Sequence, residues 1–339
     1  MKMDHGVVFS KPGIYAGWPA NHGAWSWGNE LLVGFLTGTY GRAGSMHDIL
    51  PPFKKLQARS LDGGVTWQTE EPNVSFDCPF LDQNPLPKDF SLDGSYILRV
   101  CGTYDHGAWS CWPGGGFYHS KDRGKTWQGP SKFDGLEKLL EADGFLCTAR
   151  TRVDHGLIYL SAGFEDMWGT DYSFCASFED GRFQYRGTVC DDSARAVMPA
   201  AVTFASGRRL AVLRRRKTAV RHGWVESFSS DDDGHTWRPA GILGSTGGSN
   251  GNPPALLKLP DERLVAAFGN RDTGSMEFRA WSGGVWFNIG SRLNARTVDI
   301  GYPQLFLDDS GMVTCVYYWT RDDKPQQHIA YTRFHTGDF

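Results

Sequence analysis

One eight-residue pattern, Ser-x-Asp-x-Gly-x-Thr-Trp, recurs along this chain and limits the folds it can adopt. Full copies begin at Ser60 (SLDGGVTW), Ser120 (SKDRGKTW) and Ser230 (SDDDGHTW), and weaker copies begin at Ser177 and Ser282. Successive copies therefore start 60, 57, 53 and 52 residues apart. A repeat of this length, rich in strand-forming residues, is typical of one four-stranded blade of a β-propeller.

A second feature recurs in phase with the octet, namely an apolar strand that is followed by a turn and another strand. Six such segments are found, and five carry proline near the strand start, where the missing N–H costs no ladder hydrogen bond. They lie around Pro19, Pro85, Leu146, Pro199, Pro254 and Pro303. We therefore expect an all-β chain, residues 1–339 forming a single six-bladed β-propeller domain.

The two ends of the chain are predicted to complete one blade together. The last repeat, from Tyr302, is too short for a fourth strand, and the apolar segment 6–10 has no partner within the first repeat. Pairing the two would close the ring and leave no exposed sheet edge there.

Composition excludes several classes of function. The net charge is −3 with no basic stripe, which argues against a nucleic-acid partner. No stretch approaches about 18 consecutive apolar residues, so no membrane partner is expected. The seven cysteines form no CxxC pair, and the first residues lack the apolar region of a secretory signal. We expect reduced thiols, a cytoplasmic location, no metal and no cofactor.

The octet itself is interpreted as scaffold. Its aspartate can accept hydrogen bonds from the backbone of its own turn, its glycine permits positive φ, and its tryptophan can pack between blades.

These octets match the Asp-box, and the chain resembles the sialidase-like superfamily of Asp-box β-propellers. The segment GWPANHGAWSWGNELLVGF, from Gly17, is also similar to propellers that remove rhamnose next to glucuronate in plant gums, some as hydrolases and others as lyases. Those relatives have seven blades, so seven is the alternative to six. Both resemblances imply an enzyme that acts on a glycan.

The sialidase resemblance implies catalytic roles for two residues. Tyr302, in IGYPQL, matches the nucleophilic tyrosine at the start of the last inner strand. Asp48 matches the aspartate acid/base, and Arg42, six residues earlier, matches an arginine that contacts the sugar. As an alternative, Tyr302 would only fill space at a strand start and Asp48 would cap a turn.

The same resemblance implies arginines that hold a substrate carboxylate. Arg214, or Arg216 on the same side of its strand, fits the second arginine of the sialidase triad, and Arg271 fits the third. The alternative is that one of the neighbouring arginines 214–216 points inward and the other two are solvated.

Two departures from the sialidase pattern stand out. Gly17 and Trp18 occupy the place of the first triad arginine, and Met198 and Pro199 occupy the place of the glutamate that activates the tyrosine. A typical sialic-acid hydrolase is therefore not expected. Removal of another terminal sugar from a carboxylate-bearing glycan is compatible with these losses.

Further candidates come from aromatic and imidazole side chains near the same strand ends. His22 is a possible acid/base of the gum-degrading type, and His106 a possible base for elimination. His47 and Trp18 are candidate substrate-binding residues, Trp18 by stacking on a sugar ring. Each histidine could instead be a hydrogen-bonded residue with no catalytic role.

Three functions remain open at this stage. The first is an exo-acting glycoside hydrolase of the sialidase-like type, with Asp48 as acid and Tyr302 at the anomeric centre. The second is a lyase that eliminates at a 4-linked uronate, and the third is a glycan-binding propeller without catalysis. An oligosaccharide is the expected partner in all three, and the oligomeric state is not indicated by the sequence.

Overall fold

The structure is a computed structural model of the chain. It describes residues 1–42, 47–76, 84–101, 116–136, 139, 145–163, 172–217, 220, 222–248 and 251–339, and for 145–151 and 163 it describes the backbone only. The described residues form six antiparallel sheets, and the fold is a six-bladed β-propeller, which confirms the predicted fold class and blade number.

Almost all regular structure is strand. In chain order, the first elements are β1 (Asp4–Phe9), β2 (Ile14–Gly17), the short helix α1 (Pro19–His22), β3 (Ala24–Trp27), β4 (Glu30–Tyr40), β5 (Ile49–Ser60), β6 (Gln68–Glu70), β7 (Ile97–Cys101), β8 (Gly116–Ser120), β9 (Gln128–Ser131), β10 (Phe145–Asp154), β11 (Leu157–Gly163) and β12 (Tyr172–Glu179). The remaining strands are β13 (Arg182–Cys190), β14 (Arg195–Thr203), β15 (Arg209–Lys217), β16 (His222–Ser230), β17 (Arg238–Ser245), β18 (Pro254–Lys258), β19 (Leu264–Asn270), β20 (Ser275–Ser282), β21 (Val285–Arg292), β22 (Gly301–Leu307), β23 (Met312–Arg321) and β24 (Lys324–His335), followed by a 3-10 helix at Thr336–Asp338.

The chain divides into two compact units. Unit 1 comprises Met1–Glu71 and Ser245–Phe339, and unit 2 comprises Pro72–Gly244. Unit 1 holds the sheets ordered β2-β4-β5-β6, β18-β19-β20-β21 and β1-β24-β23-β22. Unit 2 holds β7-β8-β9 and β10-β11-β12-β13, and also β14-β15-β16-β17, whose last residue reaches the boundary.

The N-terminal strand completes the last sheet of unit 1. β1 pairs antiparallel with β24, with Asp4 opposite Arg333 and Gly6 opposite Tyr331. The strand expected over residues 6–10 is thus found at Asp4–Phe9. That the whole of 1–339 behaves as one domain stays a prediction.

The octets lie where each sheet turns into its outermost strand. The first joins β5 to β6, the second β8 to β9 and the third β16 to β17, and the weaker copies join β12 to β13 and β20 to β21. In the first, Asp62 accepts hydrogen bonds from the backbone N–H groups of Val65 and Thr66, at 3.1 and 2.9 Å, and from the Thr66 hydroxyl. The octet is therefore a self-contained turn whose carboxylate is committed to its own backbone.

The octet tryptophans close the contacts between neighbouring sheets of the same unit. In unit 2, the ring of Trp237 meets Tyr159 of the preceding sheet edge-on, with centroids 6.0 Å apart. In unit 1, the ring of Trp67 lies 6.5 Å from that of Phe306, on β22. Each indole N–H also donates to the octet glycine carbonyl, so the ring orientation is fixed by the turn.

These turns predict a loss of stability in acid. Burial favours the neutral form of Asp62, but the hydrogen bonds from Thr66 and Ser60 together outweigh it and lower the pKa to about 2. Hydrogen bonds from Thr236 and Ser230 likewise hold the pKa of Asp232 at about 2. Because the folded pKa values lie below the unfolded value of 3.8, this stabilisation is present above pH 3.8 and lost as pH falls through 2.

The measurement is the denaturant midpoint of wild type, Asp62→Asn and Asp232→Asn between pH 7 and pH 2. We expect both variants to be less stable at pH 7, with the gap to wild type closing on acidification. The matched control is Asp231→Asn, in the third octet, because Asp231 pairs with Arg238 on the surface. This substitution is expected to change the free energy of unfolding by only about 0.5 kcal/mol. A gap for Asp62→Asn that stays constant to pH 2 would contradict this assignment.

Cys101, Cys175, Cys190 and Cys315 are buried and carry free thiols. Within the described ranges, no helix has the length and apolar character needed to cross a membrane.

Candidate functional site

Three residues share the same unusual backbone conformation: Trp18 directly precedes α1, Met198 lies within β14, and Tyr302 is the second residue of β22. Trp18, Met198 and Tyr302 have φ of 55°, 59° and 54°, and each precedes a proline. Positive φ in a residue other than glycine costs on the order of 1–3 kcal/mol and is concentrated at functional sites. Trp18 and Tyr302 belong to unit 1 and lead to its polar centre, whereas Met198 belongs to unit 2.

The polar centre of unit 1 is built around one buried carboxylate, Asp299, which precedes β22 and is 9% exposed. Four hydrogen-bond donors reach its two oxygens. They are Tyr15 Oη at 2.8 Å, Tyr318 Oη at 2.6 Å, His47 Nδ1 at 2.9 Å and Gln327 Nε2 at 3.1 Å. The guanidinium of Arg271 lies 3.8 Å away and donates to Tyr318 Oη at 3.2 Å. We call these six residues the Asp299 centre.

Asp299 is ionised in this setting. Burial alone would raise its pKa, but the hydrogen bond and charge of His47, followed by the charge of Arg271, outweigh burial and leave the pKa below its ordinary value. With about four lone-pair positions and four hydrogen-bond donors, the carboxylate has no acceptor capacity left for a substrate. Asp299 therefore holds and orients the groups around it and does not bind the substrate itself.

The neighbours of Asp299 are held in their ordinary protonation states. Burial, followed by the negative charge of Asp299, raises the pKa values of Tyr15 and Tyr318 well above the ordinary value, so both phenols remain donors. Burial would lower the pKa of Arg271, but the nearby Tyr318, Tyr302 and Asp299 outweigh this and raise it. Arg271 is thus a fixed buried cation, and its Nε has no hydrogen-bond partner among the described residues.

The contact with Asp299 selects the tautomer of His47. An ionised carboxylate can only accept, so Nδ1 must carry the proton, and in the neutral ring Nε2 is left with a lone pair. The edge-to-face contact with Trp18, with centroids 4.9 Å apart at 90°, fixes the ring plane. An imidazole oriented in this way can serve as a general base.

Tyr302 borders this centre. Its side chain is 6% exposed, and its ring packs at 60° on that of Tyr318, with centroids 5.9 Å apart. The influence of Tyr302 on the pKa of Arg271 places the two side chains in the same electrostatic environment. The sequence-predicted residues Trp18, His47, Arg271 and Tyr302 are thus brought together in unit 1.

The other predicted residues of unit 1 are less closely involved. His22 is 3% exposed and ends α1, next to Gly34, where a Cβ would lie 2.4 Å from the His22 carbonyl oxygen. Arg42 is exposed and Asp48 half-buried, and among the described residues neither side chain makes a hydrogen bond. Asp48 directly follows His47 in the chain, and its role as a proton donor stays a prediction.

The predicted arginines of unit 2 form a separate buried cluster. Arg214, Arg215 and Arg216 are 4%, 1% and 4% exposed, so the interpretation of two solvated arginines is wrong. Arg215 is structural, since both oxygens of Asp192 accept from it at 2.6 and 2.5 Å.

Arg214 and Arg216 share the opposite face of β15 from Arg215, because side chains alternate along a strand. Arg216 stands directly opposite Arg195 in the β14–β15 ladder.

His106 and its surroundings lie outside the described residues. Within the described part of the chain, no group of three or more His, Cys, Asp or Glu side chains could hold a metal ion.

Sequence reasoning missed Asp299, the residue that organises the centre. The only local signal was an aspartate three residues before the candidate tyrosine, in VDIGYP, and a lone aspartate there is also typical of a turn.

No protein-family model matches this chain, and no curated protein matches its sequence. Among solved structures, a Dyadobacter fermentans protein of unknown function is 21% identical, with 97% of each chain covered and a TM-score of 0.71. An α-L-arabinofuranosidase of Fusarium graminearum is 12% identical over 96% of this chain and 94% of its own, with a TM-score of 0.57, and has also been solved with arabinobiose. A sialidase of Streptococcus pneumoniae is 10% identical over 98% of this chain and 71% of its own, with a TM-score of 0.57. These similarities show the fold: the chain is a propeller with neighbours among carbohydrate-active enzymes.

Proposed function

We propose that this protein is an exo-acting glycoside hydrolase that removes a terminal sugar from a carboxylate-bearing glycan. The observation that carries the proposal is the pairing of His47 with the buried, ionised Asp299 beside Tyr302 and Arg271. The carbohydrate-active fold neighbours, an arabinofuranosidase and a sialidase, support a glycan as the substrate.

The proposed reaction uses groups already described. The Tyr302 hydroxyl attacks the anomeric carbon and gives its proton to Nε2 of His47, while Asp48 protonates the departing glycosidic oxygen. Water then displaces Tyr302 from the glycosyl-enzyme. The proton that the water loses returns to Asp48, and the His47 imidazolium returns its proton to the Tyr302 phenolate. His47 thereby takes the role of the glutamate that is missing at positions 198–199, with Asp299 stabilising the imidazolium.

A buried guanidinium group supports an acidic substrate. The guanidinium of Arg271, in the Asp299 centre of unit 1, has an Nε without a hydrogen-bond partner among the described residues. Guanidinium groups bind carboxylates through paired N–H donors, which makes this the substrate feature that such residues recognise best.

Elimination is the second candidate reaction, and the His47–Asp299 pair favours it as well. Here Nε2 of His47 would take the C5 proton of a 4-linked uronate, a C4–C5 double bond would form, and the C4–oxygen bond would break. Asp48 or Tyr302 would protonate the departing oxygen. No water is consumed, so the two reactions differ in product mass by one water molecule.

The test is incubation with sialyllactose, a rhamnosyl-glucuronate oligosaccharide and arabinobiose, followed by mass spectrometry and ultraviolet absorbance. Products that together contain one added water establish hydrolysis, and Asp48→Asn should then reduce turnover by about 10²–10⁴-fold. An absorbing product without added water identifies the lyase. Binding by calorimetry without turnover of any of the three glycans would overturn the enzyme proposal in favour of a glycan-binding propeller.

A further inference from the structure

Tyr302 is held by a side chain that sequence patterns did not single out. Asn252, two residues before β18, is fully buried, with 0% exposure. Its Nδ2 donates to the carbonyl of Ile300 at 2.7 Å, and its Oδ1 accepts from the backbone N–H of Tyr302 at 2.9 Å. One amide thus binds the backbone on both sides of Gly301.

The backbone needs this partner because the ladder is interrupted there. The β22–β23 register shifts between Gly301 and Gln304, and Tyr302 has φ of 54°. Buried backbone donors and acceptors that lose their ladder partners must find others. Asn252 supplies both, and so stabilises a conformation that Tyr302 would otherwise avoid.

The Asn252 amide packs closely against two glycines. A Cβ on Gly301 would lie 2.3 Å from Asn252 Oδ1, and one on Gly269 would lie 2.6 Å from Nδ2. Both glycines therefore allow the amide to approach the backbone closely.

The same backbone device occurs in unit 2 with different side chains. Met198 also has positive φ at a register shift, and its N–H donates to Ser161 Oγ at 3.0 Å. The carbonyl of Ala196 accepts from Ser173 Oγ at 2.9 Å. Two serines thus make there the two backbone hydrogen bonds that Asn252 makes alone at Tyr302. A substitution of Asn252 therefore removes both hydrogen bonds at once.

We propose that Asn252 is a positioning residue for catalysis, which fixes the Tyr302 hydroxyl in the place where it reacts. The inference rests on the proposed role of Tyr302. Asn252 acts only through the Tyr302 backbone, so it should affect the chemical step far more than substrate binding.

Asn252→Ala removes both hydrogen bonds and lets the Tyr302 backbone relax. A displacement of about 1 Å can lower turnover by about 10²-fold, so we expect that loss in kcat with KM changed by less than about threefold. Asn252→Asp keeps the acceptor for the Tyr302 N–H, and should lose less activity than Asn252→Ala.

Two controls separate positioning from general destabilisation. Ser60→Ala removes a buried hydroxyl that bonds Gly64 N–H at 2.8 Å in the first octet of the same unit, and should lower stability with kcat unchanged. 3-Fluorotyrosine at position 302 gives a second readout, because its fluorine resonance should move in Asn252→Ala and stay in place in Ser60→Ala.

The experiment uses whichever of the three panel glycans is turned over, and includes Tyr302→Phe. A 10²-fold loss in kcat together with a shifted fluorine resonance supports the inference. Wild-type kcat in Asn252→Ala, with Tyr302→Phe inactive, overturns the positioning role and leaves the proposed function intact. If Tyr302→Phe is fully active, or no glycan is turned over, the proposed function fails and this inference fails with it.

Discussion

Replacing Asp299 by asparagine is expected to lower the free energy of unfolding by about 3–5 kcal/mol and to abolish measurable turnover. The carboxylate accepts four hydrogen bonds and lies 3.8 Å from the guanidinium of Arg271. Asparagine offers one oxygen and points an NH₂ group at two of the four donors, so one phenol and one further donor lose their acceptor, and Arg271 loses the negative charge 3.8 Å away. His47 loses the group that fixes its tautomer.

Denaturant unfolding and turnover of a panel glycan measure the two effects. Glu71→Gln is a suitable control, since Glu71 forms an exposed ion pair with Lys54 in the same unit. Its loss should change the free energy of unfolding by less than about 1 kcal/mol. An Asp299→Asn protein that unfolds like wild type would show that the centre is not held together by this charge.

Replacing Tyr302 by phenylalanine is expected to lower kcat by about 10²–10⁴-fold while changing stability by less than about 1.5 kcal/mol. The ring and its contact with Tyr318 are retained, and only the hydroxyl that reacts is lost. Kinetics and denaturant unfolding of the same preparation give both numbers.

Tyr317→Phe should show the opposite pattern. Tyr317 lies on β23, next to the strand of Tyr302. Its buried hydroxyl lies between Arg292, at 2.7 Å, and Thr332, at 2.5 Å. Its loss leaves buried partners unsatisfied and should cost about 1–3 kcal/mol of stability without changing kcat. Equal kcat in Tyr302→Phe and Tyr317→Phe would remove Tyr302 from the mechanism.

The fold could be predicted because its determinants are local and repeated. An octet such as Ser60–Trp67 contains both partners of its own hydrogen bonds, and the strands beside it alternate in a way that any single repeat displays. The six sheets follow from counting these units, and a six-bladed propeller is what the structure shows.

The candidate site could be predicted only in part, because its determinants are distant in sequence. Tyr302 and Arg271 were recognisable from strand position, but the partners of Asp299 come from places as far apart as Tyr15 and Gln327. Asn252 could not be predicted for the same reason. Its amide forms hydrogen bonds with the backbone about 50 residues away, and the sequence around it, SNGNPPA, is typical of a turn.

The division of unit 1 between two distant stretches of chain has a consequence for biosynthesis. Met1–Glu71 is synthesised before Ser245–Phe339, and although the sheet β2-β4-β5-β6 lies wholly within the first stretch, β1 pairs with β24 of the second. Tyr15 and His47 lie in the first stretch, and Asp299, Arg271 and Tyr318 in the second. The sheets of unit 2 can form from neighbouring hairpins while translation continues, whereas β1 must wait for β24. A nascent chain would therefore carry no assembled Asp299 centre until β24, which holds Gln327, has been synthesised.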